Sequence, residues 1–135
     1  MTLEPIKDEG NTHPIAHAWR TIFVEVVAAL VQDDFELKNT GKNVAPVEKD
    51  IAETNRSNVK EYGERLIPLT EQTWSSSCAQ WIGPHWEVLI DLCTESEGVS
   101  DLVLHGEVKE QDGVPMITIG PVSYTHLTLP TTPYV

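Results

Sequence analysis

The chain has 135 residues, of which 21 are acidic and 9 are basic, and its formal net charge is −12 at pH 7. This balance argues against a nucleic-acid partner, because a phosphate backbone attracts clustered Lys and Arg and repels an acidic surface. No run approaches the roughly 20 apolar residues of a membrane span, and residues 1–10 lack the basic and apolar regions of a signal peptide. We therefore expect a cytoplasmic domain without membrane association, whose charge permits a basic protein partner.

Two helices are predicted in the first half of the chain. Residues 1–13 are polar and acidic, which predicts a disordered or loosely attached leader. A helix follows from about Pro14 to Gln32, because its apolar residues recur at steps of three and four. This stripe contains Ile15, Trp19, Ile22, Phe23, Val26, Val27 and Leu30. A second helix is predicted from Pro46 to about Glu64, with Gly63 as a weak point near its end.

From Thr73 onward the apolar residues alternate, which is typical of β-strands. Strands are predicted over 85–93 and 101–108, and Asp112-Gly113 predicts a tight hairpin into a third strand. A single register places the large apolar residues of these strands on one face. Its pairs are Leu92–Leu102, Ile90–Leu104, Trp86–Val108, Val108–Ile117 and Gly106–Ile119.

The predicted fold is α+β, with two helices packed on one face of a three- to four-stranded antiparallel β-meander. The fourth strand is predicted over 73–81, before a turn at Gly83-Pro84. Its register stays open, because a shift of one residue exchanges Trp74 and Cys78 for Trp81 and Ala79 on the core side.

Residues 122–131 read Val-Ser-Tyr-Thr-His-Leu-Thr-Leu-Pro-Thr. This string resembles the in-frame translation of a sequencing-library transposon adaptor, and the alternative is a natural Thr/Pro-rich tail. A foreign segment has to be left out of fold reasoning. We therefore interpret 122–135 as an adaptor-derived tail and 14–121 as a single domain that is truncated at its C-terminus.

The segment from Trp86 to Leu104 resembles a family of small bacterial domains of unknown function. That family carries a strand of the form W-x-V-x-x-D-L-W-T, followed by E-E-G-x-S-D-L and a second strand. An upstream helix that ends in a Tyr-Gly pair, here Tyr62-Gly63, is similar as well, so the resemblance covers about residues 19–119. Cys93 stands where the family pattern has Trp, and Ser96 stands where it has Glu. The resemblance implies a bacterial origin and an α+β fold, and it implies no activity.

An acidic hairpin turn is the first candidate site. Its residues are Asp91, Glu95, Glu97 and Asp101. Several carboxylates could hold a divalent cation or act as acid and base, but the spacing lacks the pattern of a calcium-binding loop. Asp101 and Ser100 can equally accept hydrogen bonds from the N–H groups of the turn, while Gly98 allows a positive φ. We favour this turn-forming interpretation, with a protein-binding acidic loop as the alternative.

No metal or cofactor site is predicted. His13 and His17 stand four residues apart but lack the Glu of a zinc-binding helix. A second set of possible zinc ligands contains no close pair of Cys residues, as a structural zinc site usually does. Its members are Cys78, His85, Cys93 and His105. The strand register puts Cys78 opposite a residue near Leu89, so we expect two reduced thiols and no disulfide with Cys93.

Three functions are compatible with these residues. The first is a non-enzymatic regulatory or protein-binding domain, for example one that neutralises a basic toxin as bacterial immunity proteins do. Its candidate binding residues are Asp91, Glu95, Glu97, Asp101, Trp74 and Trp81, the tryptophans because an exposed Trp is enriched at binding surfaces. The second is a small-ligand-binding or hydrolytic domain with a pocket between the helices and the sheet. It would use Asp91, His105 and Glu107. The third is an accessory domain of a longer protein.

Overall fold

The structure is a computed structural model, which describes residue 7 and residues 10–38 and 40–124. Its helices are α1 (His17–Val31) and α2 (Lys49–Tyr62), and a short 3₁₀-helix covers Glu71–Ser75. The strands are β1 (Leu66–Ile67), β2 (Cys78–Trp81), β3 (Trp86–Thr94), β4 (Gly98–Gln111) and β5 (Val114–Ser123). In the single antiparallel sheet, β3, β4 and β5 are consecutive neighbours, and β1 and β2 both pair with the other edge of β3. The predicted α+β fold is confirmed.

Parts of both predicted terminal segments lie outside the described residues. In the leader these parts are residues 1–6, 8 and 9, and in the adaptor-like segment they are residues 125–135. Residues 122–124 are described, and Val122 is buried near the end of β5. The adaptor interpretation and the boundaries of the 14–121 domain stay predictions.

The three long strands pair in the register that the apolar pattern predicts. Trp86 lies opposite Val108, which in turn lies opposite Ile117 on β5. The other confirmed pairs are Ile90–Leu104 and Gly106–Ile119. All of these residues are buried, so two independent hairpins present one apolar face to the core.

The predicted pair Leu92–Leu102 does not form, because a β-bulge interrupts the ladder there. The ladder runs regularly to Asp91–Val103 and resumes at Cys93–Val99. Ser100 closes the gap, since its hydroxyl donates to the Leu92 carbonyl oxygen (2.8 Å) and accepts from the Leu102 N–H (3.1 Å). The hydroxyl thus replaces the missing ladder bonds, and both leucines remain buried.

Helix α1 packs its predicted stripe against the apolar face of the sheet. Trp19 meets Trp86 edge-on, with 5.0 Å between the ring centroids. Phe23 lies against Gly106, where an added Cβ would be 3.6 Å from the Phe23 ring. The helix begins at His17 and not at Pro14, because the chain before it is extended. His13 exchanges two backbone hydrogen bonds with Ala79 of β2, at 2.8 and 2.7 Å.

Helix α2 lies along β5, and one of its side chains forms hydrogen bonds with backbone groups on the outer edge of that strand. The helix begins at Lys49, three residues later than predicted, and its last residue is Tyr62, two residues before the predicted end at about Glu64. The predicted weak point, Gly63, is its C-cap, with a φ of 86°. Asn55, which interrupts the apolar pattern in the sequence, is buried. Its amide donates to the Gly120 carbonyl oxygen (3.0 Å) and accepts from the Val122 N–H (2.9 Å). The Asn55 side chain therefore takes the place of a neighbouring strand.

The segment predicted as a strand over 73–81 is extended only from Cys78. Before that point, the Thr73 hydroxyl donates to the Asp91 carbonyl oxygen, and the Asp91 N–H donates to the Ser77 hydroxyl (2.9 Å). Because side chains satisfy the β3 backbone here, the chain can coil into the 3₁₀-helix between β1 and β2. β2 then places Cys78 opposite Leu89, as predicted.

Candidate functional site

The outer face of the sheet, opposite the core, carries a groove of about 440 Å³. Residues of β2, β3, β4 and β5 line it, and Thr12 and Ile51 join them from the segment before α1 and from α2. Its side chains on β3 and β4 alternate with the buried apolar residues of the same strands. The groove that holds His105 and Glu107 therefore lies on the outer face, and not between the helices and the sheet as predicted.

Two neighbouring cross-strand rows give the groove a polar half and a more apolar half. The polar row consists of Gln80, Glu87, Glu107 and Thr118. The second row consists of Cys78, Leu89 and His105. Leu89 and Ile51 are each 40% exposed, which puts two large aliphatic side chains within reach of an incoming ligand.

Glu87 and Glu107 stand directly opposite each other on β3 and β4. The Cβ atoms of such a pair are about 5 Å apart, and like charges in this position destabilise a sheet. The ring of His85 approaches the pair, with its Nε2 atom 3.3 Å from a carboxylate oxygen of Glu107. That atom makes no hydrogen bond, so the contact has poor geometry. The two carboxylates therefore leave a surplus of negative charge in the groove.

The two polar side chains of the second row, His105 and Cys78, have defined surroundings. The Nε2 atom of His105 lies 2.9 Å from the Ser123 hydroxyl oxygen, which orients the imidazole ring. Burial raises the pKa of the Cys78 thiol, and the negative charge of Asp91 raises it further. The thiol keeps its proton at neutral pH, so it is a poor nucleophile.

The predicted acidic hairpin turn is held together by one of its own carboxylates. Glu97 accepts hydrogen bonds from the Tyr62 hydroxyl (2.8 Å) and from the Thr94 hydroxyl (3.0 Å). The Tyr62 oxygen in turn accepts from the Asp101 N–H (3.3 Å). Burial, together with the hydrogen bond to Glu97, raises the pKa of Tyr62 above its ordinary value of 10.0. These contacts give the Glu97 carboxylate a structural role in the turn.

The other acidic residues of the hairpin face separate partners. Asp91 accepts a hydrogen bond from the Ser76 hydroxyl. Glu95 forms an exposed ion pair with Arg65, with 3.7 Å between the charged atoms. Among the described residues, no three His, Cys, Asp or Glu side chains come together in a way that could hold a metal ion.

The two candidate tryptophans lie away from the outer groove. Trp74 is buried in the 3₁₀-helix, where its indole N–H donates to Glu71 (3.3 Å). Trp81 is half-buried on the core side, and its ring centroid is 4.5 Å from that of Trp86. Neither residue lines the groove, and both pack against other parts of the domain.

The comparisons with known proteins identify a family. The model of a domain of unknown function (DUF7668) matches residues 27–124, well over half of the chain. The chain belongs to this family. The matched region includes the hairpin from Trp86 to Leu104 on which the predicted resemblance depends. No curated protein and no solved structure matches the chain significantly. In the described part of the domain, no helix is both long and apolar enough to cross a membrane.

Among the groove residues that sequence reasoning missed are Glu87, Leu89 and Ile51. The signal for Glu87 was present, because the predicted pair Trp86–Val108 also sets Glu87 opposite Glu107. The signal for Leu89 was its outward position between the inward-facing residues of β3. Ile51 had no such signal, since its place beside the sheet depends on how α2 packs.

Proposed function

We propose that the domain is a non-enzymatic protein-binding domain, which holds a basic and partly apolar segment of a partner protein in the outer groove. The observation that carries this proposal is the opposed pair of Glu87 and Glu107 beside the exposed Leu89. Two carboxylates that repel each other in the free domain would both attract a cation placed between them. A Lys or Arg side chain supplies that cation.

The apolar half of the groove suits the stem of the same side chain. Lys and Arg carry three or four methylene groups, which commonly pack along apolar surface while the charged end reaches polar groups. Leu89 and Ile51 offer such a surface beside the carboxylates. The groove volume of about 440 Å³ lies in the range of small-ligand pockets, so it would accept a few side chains of a partner.

The charge of the whole domain supports the same class of partner. A net charge of −12 attracts a basic protein over several ångströms and speeds its association. Neutralisation of a basic toxin is one concrete version of this function. Regulation of a basic partner protein through the same contact is a second version. Both versions require the groove to bind a basic segment of the partner.

Binding of a small cationic ligand is the second candidate function. Two of the three residues predicted for a small-ligand site, His105 and Glu107, line the groove together. A hydrolytic version would also need Asp91, whose carboxylate accepts from Ser76 and which is not among the residues that line the groove. The third interpretation, an accessory domain of a longer protein, stays a prediction that recovery of the uninterrupted reading frame would test.

The test is peptide binding measured by fluorescence anisotropy. Labelled eight-residue peptides that alternate Lys or Arg with Leu and Ser are compared with the same peptides carrying Glu in place of the basic residues. We expect only the basic peptides to bind. The double variant Glu87→Gln/Glu107→Gln should weaken their binding at least about tenfold, which corresponds to about 1.4 kcal/mol.

The matched control is Glu95→Gln/Asp101→Asn, which also removes two negative charges, but at the acidic turn and not in the groove. If this control weakens binding as much as the groove variant, binding depends on overall charge or on the turn, and the groove assignment is wrong. Tight binding of 1,4-diaminobutane without binding of any basic peptide would instead favour the small-ligand alternative.

A further inference from the structure

We propose that Trp81, Trp86 and Glu110 form a second cation site, a receptor for an alkylammonium group such as a lysine side chain, which Lys7 of the same chain occupies in the structure. The site lies on the core side of the sheet, so it is separate from the outer groove. The inference does not depend on the proposed function of that groove.

The occupant shows which chemistry the site accepts. The ammonium nitrogen of Lys7 lies 5.0 Å from the ring centroid of Trp81 and 5.8 Å from that of Trp86. The same nitrogen is 3.3 Å from a carboxylate oxygen of Glu110. Two indole faces and one carboxylate therefore surround one cation, and this combination recurs where proteins recognise ammonium groups.

Contacts other than those with Lys7 hold the two rings of the receptor. The rings of Trp81 and Trp86 are 4.5 Å apart and inclined by 57°, so they form a corner and not a flat stack. Trp86 is held from behind by Trp19, whose ring meets it edge-on at 5.0 Å. A corner that core packing holds in place needs no rearrangement when one ammonium group replaces another.

Lys7 is suited to be an exchangeable occupant. Its side chain remains 53% exposed while it contacts the site. It belongs to the segment whose composition predicts a loosely attached leader, and the backbone bridge of His13 to Ala79 provides a fixed point only six residues further along. The leader would thus act as an internal competitor, which an external lysine side chain has to displace.

The experiment titrates Nα-acetyl-lysinamide into the whole chain and follows the indole N–H signal of Trp81 by two-dimensional NMR. Nα-acetyl-norleucinamide, which has the same alkyl chain without the ammonium group, is the neutral probe. We expect Lys7→Ala to bind the lysine probe about tenfold more tightly than the original chain. This is the factor for a tethered competitor whose effective concentration, about a millimolar or more, is about ten times the dissociation constant of one lysine side chain at the site.

Two further variants keep the result interpretable. Adding Glu110→Gln to Lys7→Ala should remove most of the gain, and this exposed position places no burden on folding. Lys38→Ala removes an exposed lysine that pairs with Glu36, a residue outside the proposed site, and it should leave the affinity unchanged. The proposal is overturned if Lys7→Ala binds no more tightly than Lys38→Ala, or if the norleucine probe binds as well as the lysine probe.

Discussion

Replacing Glu87 by glutamine removes one of the two opposed carboxylates of the groove and preserves the size of the side chain. Two unit charges about 5 Å apart in bulk water repel each other by about 0.8 kcal/mol. Measured cross-strand pairs contribute about 0.2–1 kcal/mol, so we expect Glu87→Gln to raise the free energy of unfolding by about 0.5 kcal/mol. In a domain of this size, that gain raises the Tm by about 2 °C.

The same substitution is expected to weaken the binding of basic peptides. A change that stabilises the free domain and weakens its complex is the behaviour of a residue kept for binding at a cost in stability. A residue kept for folding would change both quantities in the same direction.

Urea unfolding followed by tryptophan fluorescence measures the gain. The matched control is Glu25→Gln on the exposed surface of α1, which changes the net charge by the same amount at a position outside the sheet. The difference between the two variants should shrink in 1 M NaCl, where the screening length falls to about 3 Å. If Glu87→Gln is no more stable than Glu25→Gln, or if the difference persists at high salt, repulsion across the groove is not its cause.

Three further substitutions test the framework that supports the site. Asn55→Ala should lower the free energy of unfolding by about 2–4 kcal/mol, because it leaves two backbone groups of β5 without partners, and chemical denaturation against the exposed Ser57→Ala checks this. Ser100→Ala should cost about 1–2 kcal/mol, since the Leu92 carbonyl loses its donor in the bulge; amide hydrogen exchange should rise in the same hairpin. The raised pKa of Tyr62 means that the folded state favours the neutral phenol, so its contribution is complete below the ordinary value of 10.0 and is lost as the pH rises through the folded pKa. Unfolding between pH 9 and 11.5 should therefore show a decline that is smaller in Tyr62→Phe, and an equal decline in both proteins would contradict this account.

The hairpins could be predicted because their evidence is local. A period of two residues assigns each side chain to a face, and the Asp112-Gly113 turn sets the register of β4 against β5. The pair of Trp86 with Val108 followed from the same alternation. The bulge at Ser100 could not be predicted, because its hydroxyl competes with the backbone for the bonds of the ladder, and only the folded hairpin decides which bond forms.

The candidate site was predicted less well than the fold. The acidic turn stood out in the sequence because its charges are close along the chain. In the structure, however, the Glu97 carboxylate accepts a hydrogen bond from Tyr62, which lies 35 positions away. The groove did not stand out, because its residues come from distant segments. Asp91, His105 and Glu107 were chosen together from the sequence, and only the last two line one cavity.

The sequence by itself determined the two helices, the three long strands, their apolar faces and the register of the two hairpins up to the bulge. These follow from repeats of two and of three to four residues, which are properties of neighbouring positions. The tertiary structure alone decided that Asn55 would close the edge of β5, that Ile51 would stand beside the outer groove, and that Lys7 would reach a corner of two tryptophans. Each of these contacts joins residues far apart in the chain. No local sequence pattern contains such a contact, because it forms only when the elements of the domain pack together.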